Sequence, residues 1–99
     1  MTSEEILEYV SENNPEATMF RNPNFIDAIV GWIENEEGLP VLCYDYNKMI
    51  ECLAAEYEAE ADTSEDDRDF VLMAIEWIDY NTLRTLPYMG SSRPIILYN

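Results

Sequence analysis

The stretch from Phe70 to Arg84 constrains the fold most, because it is the longest run in the chain with a helical repeat of apolar residues. Its repeated positions are spaced three and four residues apart, which places them along one side of an α-helix. These positions are Val71, Ala74, Ile75, Ile78 and Thr82. Phe70, Trp77 and Tyr80 widen this side. A chain of 99 residues forms one domain around one core, so the other elements are expected to pack against this helix.

Both ends of this helix carry sequence signals. Ser64 is a favoured N-cap residue, and residues 65–67 are all acidic, which suits the positive end of the helix dipole. At the other end, Pro87 cannot continue the hydrogen-bond ladder and Gly90 permits a turn. The sequence therefore predicts one long helix that begins near Ser64 and stops at Pro87.

The residues before this helix predict a shorter helix followed by a β-hairpin. The first helix runs from its N-cap, Ser3, to about Glu12. Residues Phe25–Ile33 fit either a helix or a strand, since Gly31 weakens a helix and the residues around it are β-branched or aromatic. A polar stretch that ends in glycine separates this segment from a predicted strand at Leu39–Tyr46. The arrangement favours an antiparallel hairpin.

The remaining elements complete an α+β fold. A second helix, capped by Asp45 or Asn47, covers approximately Lys48–Ala59, and a short connection makes it an antiparallel neighbour of the long helix. Residues Pro94–Tyr98 form a final strand, since proline is tolerated at the first position of a strand. The predicted order is α-β-β-α-α-β. The simplest architecture is a three-stranded antiparallel sheet with the helices packed on one face.

Net charge is the most unusual property of the composition. Twenty-one acidic residues outnumber one lysine and four arginines, histidine is absent, and the formal charge is −16. An excess of this size repels nucleic acid and anionic membranes and attracts basic surfaces. We therefore expect neither direct nucleic-acid binding nor membrane association. The alternative, that acidity only keeps the protein in solution, stays open at this point.

Two cysteines bear on the cellular compartment: Cys43 in a predicted strand and Cys52 in a predicted helix. Neither has a metal-ligand partner at the usual spacing. Two reduced thiols agree with a cytoplasmic protein, although a strand-to-helix return would also bring the pair within reach of a disulfide. The acidic amino terminus is unlike a signal peptide, and no apolar run approaches the roughly eighteen residues of a membrane span. These features predict a cytoplasmic protein.

Three stretches resemble a family of small uncharacterised proteins from phages and prophages, many of them from gut bacteria. They are Tyr44–Ile50 (YDYNKMI), Glu76–Gly90 (EWIDYNTLRTLPYMG) and Pro94–Ile96. The resemblance covers about residues 27–98, and the Tyr-Asn pair and the Pro-Ile-Ile ending are its more specific elements. The region between the helices is more acidic here than is usual in that family. The resemblance implies a phage or mobile-element origin, hence the cytoplasm of a bacterial host, and carries over no catalytic residues.

Acidic residues concentrate between the second helix and the long helix, and three glutamates in the predicted hairpin loop add to them. Carboxylates one helical turn apart lie about 6 Å from each other, which compares with successive phosphates along a nucleic-acid strand. A negative face of this kind can occupy a basic groove built for DNA or RNA. The candidate partner-binding residues are Glu34, Glu36, Glu37, Glu56, Glu58, Glu60, Asp62, Glu65, Asp66, Asp67 and Asp69. The alternative is a solvated turn between two helices.

Neither metal binding nor catalysis is predicted. The segment Asp62–Asp69 has oxygen ligands but lacks the glycine that a calcium loop needs, and its carboxylates are expected to splay around a helix start. The sequence has no histidine, no glycine-rich phosphate loop and no nucleophile with an evident base. Both cysteines are expected to be small core residues. We therefore expect no metal, no cofactor and no enzymatic activity.

Several aromatic and polar residues have structural interpretations. Most aromatic residues, Trp77 among them, are expected in the core or at its edge, although such residues also enrich binding hot spots. Asn81 is expected to hold the loop backbone of residues 88–90. Arg84 and Arg93 are expected to pair with nearby acids.

These features together predict a non-enzymatic, phage-encoded inhibitor that binds a host defence protein at its nucleic-acid site. A CRISPR effector or a restriction enzyme is the expected partner, and its groove would be blocked sterically and electrostatically. The alternative is a phage structural or accessory interaction module with incidental acidity, which could form a homo-oligomer through Trp32 and Tyr98.

Overall fold

The computed structural model describes residues 1–20, 22–60 and 69–98, and over these residues the chain has an α+β fold. The elements, in chain order, are α1 (Ser3–Asn13), a first 3₁₀ helix (Pro23–Ala28), β1 (Ile29–Glu34), β2 (Pro40–Asp45), α2 (Tyr46–Glu60), α3 (Phe70–Trp77), a π-helical turn (Ile78–Thr82), a second 3₁₀ helix (Leu83–Tyr88) and β3 (Ile95–Leu97). The predicted α+β class is confirmed. The predicted order is met only in part, because 3₁₀ and π-helical segments lie between the expected elements.

The sheet is mixed, with β2 in the centre and the strand order β1-β2-β3. β1 and β2 form the predicted antiparallel hairpin, in a register that runs from Ile29 opposite Tyr44 to Glu34 opposite Pro40. A bulge between Ile29 and Gly31 interrupts this register. An extra residue at such a bulge increases the local twist of an edge strand.

β3 runs parallel to β2, so the prediction of an all-antiparallel sheet was wrong at this strand. Cys43 lies opposite Ile95, and Asp45 lies opposite Leu97. Between the two strands the chain passes through α2 and the helical residues 70–88, which return it to the same end of the sheet. Parallel strands need a long, usually helical crossover of this kind, whereas a tight turn gives antiparallel pairing.

The N-cap of α1 is Thr2, one residue before the predicted Ser3. The Thr2 hydroxyl accepts a hydrogen bond from the Glu5 amide, and the Glu5 carboxylate accepts one from the Thr2 amide. This reciprocal pair is a capping box, which satisfies two amides that the helix itself leaves unpaired. The Ser3 hydroxyl donates instead to the Ile29 carbonyl at 2.7 Å, which holds the start of α1 against β1.

The segment predicted as a strand at Phe25–Ile33 divides into two elements. Its first half belongs to the 3₁₀ helix that starts at Pro23, and only its second half belongs to β1. Asn22 caps the 3₁₀ helix, because its Oδ1 accepts a hydrogen bond from the Asn24 amide at 3.0 Å. An asparagine cap followed by proline at the first helical position is a strong start signal, which outweighs the strand preference of the next residues.

The stretch predicted as one long α-helix changes its pitch twice. α3 has eight residues, the next five form a π-helical turn, and the next six form the second 3₁₀ helix. The fifteen-residue α2 is therefore longer than α3. Ala74, Ile78 and Thr82 are buried as predicted, but Val71 is 52 % exposed. Val71 lies in the first turn of α3, and a π turn and a 3₁₀ helix follow α3, so one constant helical repeat does not describe this stretch.

The ends of this helical stretch also differ from the prediction. Asp69 caps α3, since its carboxylate accepts a hydrogen bond from the Leu72 amide at 3.1 Å. The predicted cap Ser64 and the acidic first turn at residues 65–67 lie outside the described residues. Pro87 lies inside the second 3₁₀ helix, so the helical stretch does not stop at this residue but continues to Tyr88. Gly90 has a φ of 82°, a left-handed conformation that favours glycine.

The core lies between α1, the hairpin, the first 3₁₀ helix, α2 and α3. α1 packs on both hairpin strands, and α2 packs on the first 3₁₀ helix and on α3. The buried residues of the core are Ile6, Val10, Phe20, Phe25, Ala28, Ile29, Leu42, Tyr44, Met49, Ile50, Leu53, Ala74 and Ile78. None of the described helices is long and apolar enough to cross a membrane.

Asn14 is a buried polar residue that ties three parts of the chain together. Its Nδ2 donates to the Pro40 carbonyl at 3.0 Å and to the Ser92 hydroxyl at 3.2 Å. These bonds join the end of α1 to the start of β2 and to the loop before β3. Across the described residues, every buried side-chain nitrogen or oxygen has a hydrogen-bond partner, so no side-chain polar atom is buried at full desolvation cost.

Candidate functional site

An open groove of about 640 Å³ lies between the first 3₁₀ helix and α2. Its lining residues are Asn24, Asp27, Glu51, Cys52, Ala55, Glu56, Ala59 and Glu60. Four of these side chains are carboxylates, and no lysine or arginine of the described residues lines the cavity. We call this cavity the acidic groove. Ala55 and Ala59 contribute apolar side chains to its lining.

Helix geometry explains why α2 contributes six side chains to one wall of the acidic groove. The positions are 51, 52, 55, 56, 59 and 60, which follow the three-and-four spacing of one helix face. The opposite wall is the first 3₁₀ helix, which presents Asp27. The Nδ2 of Asn22, the cap of that helix, donates to the Glu56 carboxylate at 3.3 Å and joins the two walls.

Two side chains on α2 experience the negative field of these carboxylates. Burial raises the pKa of the Cys52 thiol, and the charges of Asp27 and Glu51 raise it further. Burial also raises the pKa of Tyr57, and Glu56 and Glu60 add to that effect. A thiol with a raised pKa stays protonated at neutral pH and is a poor nucleophile.

Neither cysteine is part of a disulfide. Cys43 is a buried free thiol on β2, and burial raises its pKa. Cys52 is a half-buried free thiol in the acidic groove. The interpretation of two reduced thiols therefore holds in the structure, and the alternative of a bridge between them does not.

The carboxylates of the acidic groove do not converge on a common point. Within the described residues, no group of three or more acidic or cysteine side chains is placed to hold a metal ion. Glu56 and Glu60 lie one helical turn apart, a spacing at which like charges repel. The groove therefore presents separate negative charges to separate cationic groups.

The predicted acids on α2 and α3 have different surroundings. Glu56 and Glu60 line the acidic groove. Glu58 is exposed on α2 but is not part of that lining, and Asp69 is exposed at the cap of α3. The other predicted acids of this region lie outside the described residues. They are Asp62, Glu65, Asp66 and Asp67.

The predicted acids of the hairpin loop belong to a separate site. Glu34 and Glu36 line a cavity of about 270 Å³ together with Arg93, so that cavity carries both signs of charge. Glu37 is exposed and accepts a hydrogen bond from the Ser91 hydroxyl at 3.0 Å. The structure thus brings part of the α2 set together and leaves the loop set outside the lining of the acidic groove.

Two carboxylates of the acidic groove, Asp27 and Glu51, were not among the predicted partner-binding residues. Helical spacing on α2 could have identified Glu51, because positions 51, 55 and 59 lie on one face. No comparable signal existed for Asp27. Its segment fitted a helix or a strand equally, and only the packed 3₁₀ helix places it opposite α2.

A second cavity, of about 580 Å³, lies between residues 19–25 and residues 77–89. None of its described lining side chains is charged. Its lining residues are Met19, Phe20, Asn22, Phe25, Trp77, Asn81, Thr82, Thr85 and Met89. We call it the aromatic pocket. The Phe25 ring lies 6.2 Å from the Trp77 ring and 6.4 Å from the Phe20 ring, measured between centroids. Both phenylalanines are buried, while Trp77 is 36 % exposed.

The polar residues of the aromatic pocket come mainly from the π turn and the second 3₁₀ helix. Asn81 Nδ2 donates to the Trp77 carbonyl at 3.1 Å, so its predicted role in holding the loop at residues 88–90 was wrong. The Thr85 hydroxyl donates to the Thr82 carbonyl at 2.7 Å. Asparagine and threonine side chains satisfy backbone carbonyls in this way when a helix departs from the regular ladder.

The two predicted ion-pairing arginines make other contacts. The Arg84 guanidinium lies 4.9 Å from the centre of the Tyr80 ring, a cation–π distance. Arg93 Nη1 donates to the Gly90 carbonyl at 3.2 Å and so helps to close the turn before β3.

Comparisons with known proteins gave no match. No family model fits the chain, no curated protein matches it, and no solved structure matches it.

Proposed function

We propose that the protein is a non-enzymatic inhibitor that occupies a basic nucleic-acid-binding groove of another protein in place of DNA or RNA. The acidic groove is the observation that supports this proposal most directly. It sets four carboxylates along two adjacent helices, with alanine side chains in the same lining. In a chain with a formal charge of −16, such a site attracts cationic surfaces over a distance and then offers them defined contacts.

The spacing of these carboxylates suits the mimicry of a nucleic-acid backbone. Glu56 and Glu60 are one helical turn apart, and neighbours at this spacing lie about 6 Å from each other. Lysine and arginine side chains that normally contact successive phosphates can contact such a pair. Binding would release counterions from both partners, as phosphate binding does, and would weaken strongly as salt is added.

The chemistry of the described side chains supports binding and offers little to catalysis. Both thiols have raised pKa values, and for Cys52 burial and the charges of Asp27 and Glu51 outweigh the opposite effect of Lys48. The sequence contains no histidine to act as a general base near neutral pH. The proposal therefore assigns steric and electrostatic occlusion, without any bond made or broken.

The choice of partner rests on the resemblance to phage and prophage proteins in the stretches Tyr44–Ile50, Glu76–Gly90 and Pro94–Ile96. A phage gains from an inhibitor of a host defence nuclease, either a CRISPR effector or a restriction enzyme. Both have long basic grooves, and both are blocked when another anionic surface fills them.

A competition experiment tests this proposal. Purified CRISPR effectors and restriction enzymes are mixed with labelled DNA, and the protein is added over a salt series from about 50 to about 200 mM. A triple variant, Glu51→Gln with Glu56→Gln and Glu60→Gln, removes three charges from the acidic groove. A matched variant with Glu8→Gln, Glu12→Gln and Glu16→Gln removes three exposed charges that do not line it.

We expect the protein to displace DNA from at least one nuclease, and we expect added salt to abolish the effect. The groove variant should lose about tenfold or more in potency, while the matched variant loses less than about threefold through net charge alone. If the two variants lose the same potency, the acidic groove is not the site that binds the nuclease. Inhibition that does not respond to salt would reject electrostatic mimicry altogether.

One observation favours a second candidate, an oligomeric accessory module. Val30, Trp32 and Ile33 on β1 are each more than one third exposed, and Trp32 stacks on Tyr9 of α1 at a centroid distance of 4.6 Å. Exposed apolar residues that adjoin one another on an edge strand are typical of protein interfaces. Light scattering coupled to chromatography tests it: a stable dimer that Trp32→Lys dissociates supports this candidate, and a monomer at all concentrations rejects it.

A further inference from the structure

The aromatic pocket has the properties of a binding site for a ring. Phe20 and Phe25 form its buried floor, and Trp77 exposes part of its ring at the wall. Asn81 and Thr85 stand at the exposed edge. Sites of this size that are mostly apolar, with a few polar groups at the mouth, are typical of pockets for small or single-side-chain ligands.

The aromatic pocket adjoins the acidic groove through Asn22. This residue lines the aromatic pocket, and its Nδ2 donates to Glu56 in the acidic groove at 3.3 Å. Its Oδ1 accepts from the amide of Asn24, which also lines the acidic groove. Phe25 and Asp27, on the same 3₁₀ helix, line the pocket and the groove respectively. A partner that reaches both sites must therefore carry positive charge close to an uncharged ring.

We propose that the aromatic pocket receives an aromatic side chain of the basic partner while arginine or lysine side chains of that partner bind the acidic groove. The inference rests on the proposed function and specifies it. Grooves that bind single-stranded nucleic acid combine cationic residues with aromatic side chains on which bases stack. The partner class is therefore a protein that stacks bases on aromatic residues, and one of its rings packs against the exposed part of Trp77 in place of a base.

The chemistry of the pocket favours a ring over other occupants. Aromatic rings prefer tilted or offset arrangements with centroids about 4.5–7 Å apart, and Phe20, Phe25 and Trp77 already pack within that range. An anionic ligand is disfavoured because the chain is strongly negative and the described lining provides no positive charge.

Synthetic peptides test the inference without knowledge of the natural partner. Three amidated arginine peptides have the same length and charge, and carry phenylalanine, leucine or alanine at every third position. Binding to the full chain is measured by calorimetry. The emission of Trp77 is followed in a Trp32→Phe background, in which it is the remaining tryptophan.

Two variants at one position provide the matched pair. Thr85→Phe places a large side chain at the mouth of the pocket, where Thr85 is exposed. Thr85→Val removes the hydroxyl that donates to Thr82 but keeps the volume. Thermal unfolding followed by circular dichroism verifies that both variants fold, so any loss of peptide binding is assigned to the pocket.

We expect the phenylalanine peptide to bind about tenfold more tightly than the alanine peptide, because a phenyl ring leaves water, and to shift the Trp77 emission. Thr85→Phe should abolish this advantage and leave the alanine peptide unaffected, whereas Thr85→Val should retain the advantage. Equal affinity for the phenylalanine and alanine peptides overturns the pocket but leaves the acidic groove supported. Equal affinity for the leucine and phenylalanine peptides overturns the assignment of a ring. Failure of all three peptides to bind rejects the proposed function itself, together with this inference.

Discussion

The buried side of β2 and the acidic groove both raise the pKa values of their side chains, but for different physical reasons. On β2, burial is the only cause for Cys43 and the largest cause for Tyr44, whose pKa rises to about 12. In the groove, burial is again the largest cause for Cys52, but the charges of Asp27 and Glu51 add to it. Burial excludes water from the groups on β2, whereas the field of the groove extends into water, where salt screens it.

The interior around β2 and the acidic groove therefore make different contributions to the protein. The interior around β2 holds the fold together and is insensitive to ionic strength. The acidic groove contributes repulsion among its own charges, and under the proposed function it attracts charges on another molecule. Substitutions in the interior should therefore lower the free energy of unfolding, whereas removal of a charge from the groove should raise it and weaken binding. Four predictions test this contrast, from the largest expected effect to the smallest.

The largest effect is expected from Phe25→Ala, because this ring anchors the first 3₁₀ helix in the core. Phe25 is 1 % exposed and packs against Phe20 and Trp77. Its loss should lower the free energy of unfolding by about 3–5 kcal/mol, measured by urea denaturation. Leu72→Ala, at a half-exposed position of α3, is the control and should cost much less. If both variants lose the same free energy of unfolding, the first 3₁₀ helix, which forms one wall of the acidic groove, does not depend on the core contacts of Phe25.

The second effect is alkaline destabilisation through Tyr44. Its folded-state pKa of about 12 lies above the ordinary value near 10, so the stabilisation by the neutral phenol is complete below pH 10. That stabilisation, about 2–3 kcal/mol, should be lost as the pH rises from 10 toward 12, with little dependence on salt. Urea denaturation at several pH values measures it.

Tyr44→Phe is the control for this pH effect. The variant should lose about 1 kcal/mol at neutral pH, since the Tyr44 hydroxyl accepts a hydrogen bond from the Phe20 amide at 3.3 Å. In return, its stability should fall less steeply above pH 10. A variant whose alkaline profile matches that of the native chain would show that other tyrosines or the cysteines account for the loss.

The third effect is a gain of stability with a loss of binding in Glu60→Lys. This change replaces the repulsion between Glu56 and residue 60 with a favourable pair one helical turn apart, which should add about 0.5–1 kcal/mol. Binding to an arginine peptide should weaken at the same time. Glu58→Lys makes the same charge change outside the groove lining and should weaken binding less. If both variants bind alike, net charge alone governs binding and the groove has no special part.

The smallest effect concerns the reactivity of Cys52. Its thiol pKa is raised partly by Asp27, so Asp27→Asn should lower the pH midpoint of alkylation, and salt should lower it in the native chain. Glu12→Gln, which removes a charge from α1, should leave the midpoint almost unchanged. Cys43 should stay unreactive in the native fold, because it is 2 % exposed. A midpoint that responds neither to Asp27→Asn nor to salt would assign the whole effect to burial.

Local signals in the sequence predicted most of the secondary structure. The apolar spacing of α1 and α2 and the polar loop of the hairpin gave those elements within a few residues, because each depends on neighbours in sequence. The stretch from Phe70 to Arg84 was less well predicted. Its apolar repeat describes Ala74, Ile78 and Thr82, but a π turn and a 3₁₀ helix replace the second half of the expected α-helix. Packing of those residues decides the pitch there.

The candidate site was predicted only in part. Glu56 and Glu60 were identified because they share a helix and a high local density of acids. Asp27 was missed because it approaches those residues only when the first 3₁₀ helix packs on α2. Glu51 was missed although helical spacing on α2 could have identified it. The aromatic pocket was missed as a site, since Trp77 is far from Phe20 and Phe25 in the chain and each alone is an ordinary core residue.

The sequence by itself determined the α+β class, the main helices and the hairpin, and the excess of negative charge. These properties follow from composition and from periodicity over a few residues. Tertiary structure alone decided that β3 lies parallel to β2, which carboxylates meet in a groove, and that an uncharged pocket adjoins them. The physical reason is that these outcomes depend on contacts between segments tens of residues apart. Each segment allows several arrangements, and burial of the shared core, which no local pattern encodes, selects among them.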